Sequence, residues 1–147
     1  MTAPLFVDTN VLVYAYDRSE PGKQARALEV LEQLAGLGGA AISPQVLAEL
    51  YVSLTRSIRA PLAPAEASER VAFFVRAWRV LPLTGLVTLE AVRGCLQHRM
   101  RFWDAQIWAT ARLNQLELVL SEDLSDGAVI EGVRFVNPFR PTFRLAR

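Results

Sequence analysis

A chain of 147 residues with 52% hydrophobic and 21% charged content has the composition of a folded globular protein and excludes a disordered one. No apolar run reaches the roughly 18 residues of a membrane span, and the N-terminus has no basic segment ahead of an apolar one, so the cytoplasm is the expected location, with no membrane partner. A formal charge of +1 lacks the basic excess that usually marks a polyanion binder. All but one of the 16 basic residues are arginine, Lys23 being the exception; guanidinium forks suit phosphate, and an arginine-rich genome gives the same bias.

In chain order, Pro4 to Val7 is apolar on both faces, which predicts a short strand in the middle of a covered parallel sheet. It ends at Asp8-Thr9-Asn10, beyond the carboxyl end of the strand, where α/β sheets collect their chemistry. The same three residues are good caps for a helix from about Asn10 to Ala15. Asp17 to Gly22 is a loop by composition. Between Lys23 and Leu37 the positions Ala27, Leu28, Leu31, Leu34 and Ala35 recur at helical spacing and predict a helix against the sheet, ended by Gly36 to Gly39. Ala40-Ala41-Ile42 is a second strand. Ser43-Pro44 then opens a helix with a hydroxyl cap and a proline at the first position, and Leu47, Leu50, Tyr51, Leu54 and Ile58 form its apolar stripe.

A loop from Arg59 to Pro64 leads to a helix from about Ala65 to Trp78 that buries Val71, Phe74 and Val75. Val80 to Leu83 is a third strand, placed at an edge by Pro82. Helices follow over Leu86 to Gln97 and Phe102 to Asn114, then strands over Leu118 to Ser121 and Val133 to Val136, with Asn137-Pro138-Phe139 stopping regular structure. Cys95 is a lone thiol, read as inert and buried, and His98 lies in a polar run that reads as a solvated helix end, which disfavours Ser-His-Asp and Cys-His chemistry. The tail Arg140 to Arg147 is basic around Phe143 and reads as a frayed terminus, with contact to RNA as the alternative. Strands alternating with helices, without repeats or long linkers, imply a single domain over residues 1–147. Its expected architecture is a three-layer α/β/α sandwich around a central, mainly parallel sheet.

Three further acids stand out. Asp104 falls at helical spacing among Trp103, Ile107, Trp108 and Ala111, so it needs a proton, a cation or a base, with Arg101 and Arg112 as the available bases. Asp123 follows the Leu118 strand as Asp8 follows the first, on the same rim of a parallel sheet, or else it caps a turn. Glu49 lies about 200° from the middle of its helix's apolar stripe, which favours a solvated side chain. Should Asp8, Asp104 and Asp123 converge, with Glu49 as the fourth acid, each carboxylate pair about 4 Å apart repels by about 1 kcal/mol in water and about 4 at an effective dielectric near 20. A histidine-free cluster of carboxylates suits a hard divalent cation, Mg²⁺ or Mn²⁺, and phosphodiester hydrolysis.

Asp8-Thr9-Asn10-Val11-Leu12-Val13-Tyr14-Ala15, the helix carrying Glu49 after Ser43-Pro44, Phe102-Trp103-Asp104-Ala105, and Ser121-Glu122-Asp123-Leu124 with Gly127, Gly132-Val133 and Asn137-Pro138-Phe139 resemble, in this order, the PIN-domain family. Within it the chain is similar to the VapC-type toxins of bacterial toxin-antitoxin modules. The resemblance implies a PIN-like fold, Mg²⁺- or Mn²⁺-dependent endoribonuclease activity on RNA, a homodimer and a small antitoxin protein as inhibitor. It also implies Asp8 and Asp104 as principal metal ligands, Glu49 and Asp123 completing the catalytic acids with Asp123 also at the metal, Thr9 or Asn10 orienting a ligand or water, and Ser121 supporting the rim. Asp126 stands where the family often has an aromatic, which leaves open whether Glu122 or Asp126 also touches the metal. Two other hydrolytic readings lack a residue: Asn10 replaces the second acid of a phosphatase built on an aspartate nucleophile, and a receiver domain needs a late lysine. A PIN-like module that binds RNA or protein without cutting is the alternative from another class.

Overall fold

A computed structural model describes residues 5–145. Its six strands are β1 (Leu5–Val7), β2 (Ala41–Ile42), β3 (Arg79–Val80), β4 (Leu118–Leu120), β5 (Val129–Ile130) and β6 (Val133–Val136). They form one sheet in the order β3-β2-β1-β4-β6-β5, parallel except for β5. The helices are α1 (Thr9–Tyr14), α2 (Pro21–Gly36), α3 (Pro44–Val52), α4 (Pro64–Ala77), α5 (Gly85–His98) and α6 (Phe102–Leu113). The architecture is the expected α/β/α sandwich with a mainly parallel sheet. Among the described residues no helix is long and apolar enough to cross a membrane.

The chain runs outward from β1 through β2 to β3, then returns to lay β4 on the other side of β1. That reversal makes the gap between β1 and β4 the switch point of the sheet, where a crevice opens beyond the strand ends. Phe6 and Val7 in β1, and Val119 and Leu120 in β4, are fully buried, as strands covered on both faces require. The outer strands β3 and β5 have two residues each, which leaves little open edge for another chain to pair with.

Several predicted details change. Pro4 lies outside the described residues, as do Ala146 and Arg147 of the tail. The third strand is Arg79–Val80, not Val80 to Leu83: the Leu81 amide still donates to Ile42 O at 2.8 Å, and Pro82 has no amide to continue the pairing. The sequence reading missed β5. Glu131 (φ 47°) and Gly132 (φ 85°) form the two-residue turn between Ile130 and Val133, which pair directly, and two positive φ values in succession are the signature of a tight hairpin.

In α2, Leu28 and Ala35 face outward and Val30 is buried in their stead; in α4, Val75 is exposed. The helix expected to continue through Ile58 instead ends as α3 at Val52 and widens into a π-helical turn, Ser53–Ser57, whose Ile58 amide donates to Ser53 O at 3.1 Å. Tyr51 is exposed, while Leu50, Leu54 and Ile58 face the core. Cys95 is half-buried against the core. The described part of the tail is docked, not frayed: Phe143 is buried, and Arg26 donates to Pro138 O and Phe143 O, both at 2.8 Å.

Candidate active site

The register pairs Leu5 with Leu118, Phe6 with Val119 and Val7 with Leu120, so Asp8 and Ser121 arrive side by side on one rim. The Asp8 amide extends the pairing by donating to Leu120 O at 2.9 Å. Asp8 is the N-cap of α1, and its Oδ1 accepts the Thr9 amide at 2.7 Å. Its Oδ2 accepts Ser121 Oγ at 2.7 Å and Asn10 Nδ2 at 3.3 Å. The cap and the rim acid are thus one side chain. Asn10 Nδ2 also lies 3.2 Å from both Ser121 Oγ and Asp123 Oδ2, while Asn10 Oδ1 accepts the Glu122 amide at 3.1 Å. Ser121 Oγ accepts the Asp123 amide at 3.2 Å. Asn10 and Ser121 therefore stitch the start of α1 to the loop after β4 and hold Asp123 near Asp8.

Glu49 reaches the rim from α3, half-buried, accepting Thr9 Oγ1 at 2.8 Å and Gln45 Nε2 at 3.0 Å. Helical periodicity favours a solvated glutamate here because it registers only the apolar stripe, and the face bearing Glu49 turns to the polar rim instead. Gln45 Oε1 in turn accepts Gln106 Nε2 at 2.8 Å, tying α3 to α6. This amide bridge escaped the sequence reading; the available signal was Gln106 standing inside the apolar run Ala105 to Ala111, all of it buried.

Asp104 lies in the first turn of α6, where the helix dipole favours an anion. Ile107, Trp108 and Ala111 are buried, but Trp103 is 62% exposed, so Asp104 stands at the border of the apolar face and not inside it. Arg112 is engaged by Glu90 at 2.7 Å, and Arg101 acts on Asp104 through space without a salt bridge. Among the described residues none of Asp8, Glu49, Asp104 and Asp123 forms a salt bridge. The acids that follow Ser121 and Ser125 in the chain do. Glu122 pairs with Lys23 at 2.7 Å and accepts Tyr14 Oη at 3.1 Å, and Asp126 pairs with Arg140 at 2.9 Å and accepts the Asn137 amide at 2.7 Å.

Burial pushes the Asp8 carboxyl up to about 6; the bonds from Ser121 and Thr9 oppose the shift, and the charges of Glu49 and Asp123 add to it. Burial also raises Asp104, with Arg101 opposing and Asp123 and Glu49 adding. These mutual influences join the four acids into one electrostatic group. A folded-state value raised from 3.8 to about 6 means that the folded protein binds this proton more tightly than the unfolded chain. The resulting stabilisation, on the order of 3 kcal/mol, is fully present below the unfolded value and is lost as pH rises through about 6. Chelator-treated protein is therefore expected to lose unfolding free energy between about pH 4 and 6.5, measured by urea titration at each pH; a profile rising over that window would contradict the assignment.

Two clefts open beside Glu49, Asp104 and Asp123. One, of about 650 Å³, is lined by Thr9, Asn10, Glu49, Ser53, Arg59 and Asp123 among others. The other, of about 280 Å³, is lined by Arg99, Arg101, Asp104 and Asp123 with their neighbours. Asp123 belongs to both.

A sequence profile of the PIN domain matches residues 5–125. The chain belongs to the PIN-domain family. In structure it is similar to a toxin-antitoxin complex from Klebsiella pneumoniae, at 23% identity and a TM-score of 0.67, covering 91% of this chain and 97% of the other. It is similar to VapBC2 from Rickettsia felis, solved bound to a DNA fragment from its promoter, at 20% identity and TM-score 0.63, covering 90% and 97% of the two chains. VapC20 of Mycobacterium tuberculosis, described as a sarcin-ricin loop cleaving toxin, aligns at 19% identity and TM-score 0.61 over 78% of this chain and 86% of that one. No curated protein matches significantly in sequence.

Among the described residues no group of three acid, histidine or cysteine side chains is placed to hold a metal ion. Mg²⁺ does not require such a group, because it keeps several waters and is held through one or two carboxylates. An all-oxygen rim whose acids lack salt-bridge partners has that character. Ser43, expected to cap α3 with its hydroxyl, makes no side-chain cap bond, and its buried Oγ has no hydrogen-bond partner. The donor set fits a hard divalent ion.

Proposed function

We propose that this PIN-domain protein is a Mg²⁺- or Mn²⁺-dependent endoribonuclease and the toxin of a toxin-antitoxin pair. The observation that carries the reading is the group of four carboxylates on the sheet rim, coupled through the charges of Glu49 and Asp123 and without salt bridges, while Glu122 and Asp126 near Asp123 in the chain are neutralised. Asp8, Asp104 and Asp123 would hold the cation, in part through its bound waters, and Glu49, fixed by Thr9 and Gln45, would complete the acidic site. Asn10 and Ser121 orient Asp8 and Asp123. A hard divalent cation supplies positive charge for phosphate oxygens and lowers the pKa of water. Water attacks phosphorus and gives up a proton, the bond to the 3′ oxygen breaks and that oxygen takes up a proton, so one product carries a 5′-phosphate and the other a 3′-hydroxyl.

A small antitoxin protein as inhibitor, a homodimer and a cytoplasmic location complete this reading. The antitoxin is supported by the solved toxin-antitoxin complexes to which the fold is similar. The absence of a preformed three-ligand metal site among the described residues favours a second reading, a module that binds RNA or protein without cutting it. One assay separates the two. Purified protein is incubated with a panel of structured RNAs, including a sarcin-ricin-type stem-loop, with Mg²⁺, Mn²⁺ or chelator. Metal-dependent cuts with 5′-phosphate ends are expected; a folded sample that cuts nothing with either metal supports the binding module.

A further inference from the structure

The chain has little net charge, yet an RNA strand laid across four carboxylates needs attraction from elsewhere. Among the described residues five arginines are engaged within the fold: Arg26, Arg70, Arg93, Arg112 and Arg140 each pair with an acid. Arg59, Arg99 and Arg101 do not, and other arginines are equally free. What sets these three apart is position. Arg59 follows the π-helical turn and lines the larger cleft beside Thr9, Asn10 and Asp123. Arg99 and Arg101 line the smaller cleft on the other side of Asp123, beside Asp104. π-helical turns are rare and frequent at functional sites.

Arg99 carries a second signal. It ends α5 in the left-handed conformation, φ 55°, a position that helices usually give to glycine because a side chain strains it. The arginine side chain there lines the cleft and pairs with no described acid.

We propose that Arg59 on one side of the acid rim, and Arg99 with Arg101 on the other, bind backbone phosphates of a single RNA strand flanking the bond to be cut. The proposal rests on the ribonuclease reading and deepens it by giving the substrate a path. The path runs from the larger cleft, over Asp123, into the smaller one. Phosphate contacts of this kind attract any sequence and position the strand, so they set affinity and salt dependence, not sequence preference.

The test uses the full chain carrying Asp8→Asn, with Mg²⁺, and a short fluorescein-labelled single-stranded RNA followed by anisotropy over a range of salt. Arg59→Gln, Arg99→Gly and Arg101→Gln are each expected to weaken binding on the order of tenfold and to flatten the plot of log affinity against log salt by about 0.7. Arg134→Gln is the control: in the register it pairs with Leu118, at the end of the sheet opposite Asp8, and neither quantity should change. Arg99→Gly should also melt no lower than its parent, because glycine relieves the left-handed backbone. Should it unfold, Arg59→Gln and Arg101→Gln decide the matter. Unaltered affinity and slope in the cleft variants, an equal loss in Arg134→Gln, or no RNA binding by the parent overturns the path. If the path fails while unsubstituted protein still cuts RNA, the nuclease reading stands; if the arginines govern binding but nothing is cut, the path stands and that reading falls.

Discussion

Asp8→Asn is expected to reduce metal-dependent RNA cleavage by at least about a hundredfold, while the chelated variant at about pH 8 unfolds no more easily than the unsubstituted protein. The two effects come from the same charge. With its carboxyl raised to about 6, Asp8 is ionised at that pH against the cost of burial and the charges of Glu49 and Asp123. An amide of the same shape removes that cost, on the order of 3 kcal/mol. It keeps an oxygen for the Thr9 amide but turns an NH₂ toward Ser121 Oγ and Asn10 Nδ2, which costs about 1 kcal/mol. The balance is a gain of about 1 to 2 kcal/mol without metal. With metal the order reverses: millimolar Mg²⁺ should raise the melting temperature of the unsubstituted protein and leave the variant where it was, because only a native-state ligand stabilises by mass action. Thermal melts with and without chelator read both effects. A chelated variant less stable by more than about 1 kcal/mol would make Asp8 chiefly a helix cap, since lost caps cost about that much.

The parts of this site that can be read from the chain are those fixed by strand ends. Asp8 and Asp123 follow apolar runs that could only be buried strands, and parallel pairing then puts both acids on one rim. The fold was legible for the same reason: each central strand is apolar on both faces, and each helix between them carries a recognisable stripe. Glu49 and Asp104 were harder. Glu49 lies opposite its helix's stripe and Asp104 at the border of one, so the 3.6-residue period tells only how each stands to the core, and their surroundings depend on how α3 and α6 meet through Gln45 and Gln106. The period reads Glu49 as solvated and Asp104 as embedded; both are half-buried. The π-helical turn was invisible because Leu50, Leu54 and Ile58 keep a helical spacing through it. The hairpin at Glu131-Gly132 could have been found, since a two-residue turn ending in glycine between apolar pairs is a known signal.

Gly94→Val is expected to cost about 3 kcal/mol or more of stability and to disturb the site although Gly94 belongs to none of its clefts. Gly94 is the contact point between α5 and α6: a Cβ added there falls 2.8 Å from Trp108 Cζ3, 3.0 Å from Cε3 and 3.4 Å from Met100 Sδ. The indole has nowhere to go. It is fully buried, its Nε1 donates to Ile130 O at 3.0 Å, and its ring meets His98 edge-on at 5.7 Å. Relief must therefore come from separating the helices, and α6 carries Asp104 in its first turn. A shift there of about 1 Å is enough to cost on the order of a hundredfold in rate. Gly94→Ala refines the argument, because alanine gains about 1 kcal/mol of helix propensity against about 1 to 3 kcal/mol of crowding, for a net loss near 1 kcal/mol. Trp108→Phe removes part of the offending ring and the Ile130 bond, and by itself destabilises by about 1 to 2 kcal/mol. If the clash is the cause, Gly94→Ala and Trp108→Phe together should cost less than the sum of their separate losses, by about 1 kcal/mol. Urea unfolding of the four proteins gives that coupling directly, and strict additivity would remove the clash as the explanation and with it the route by which α5 constrains Asp104.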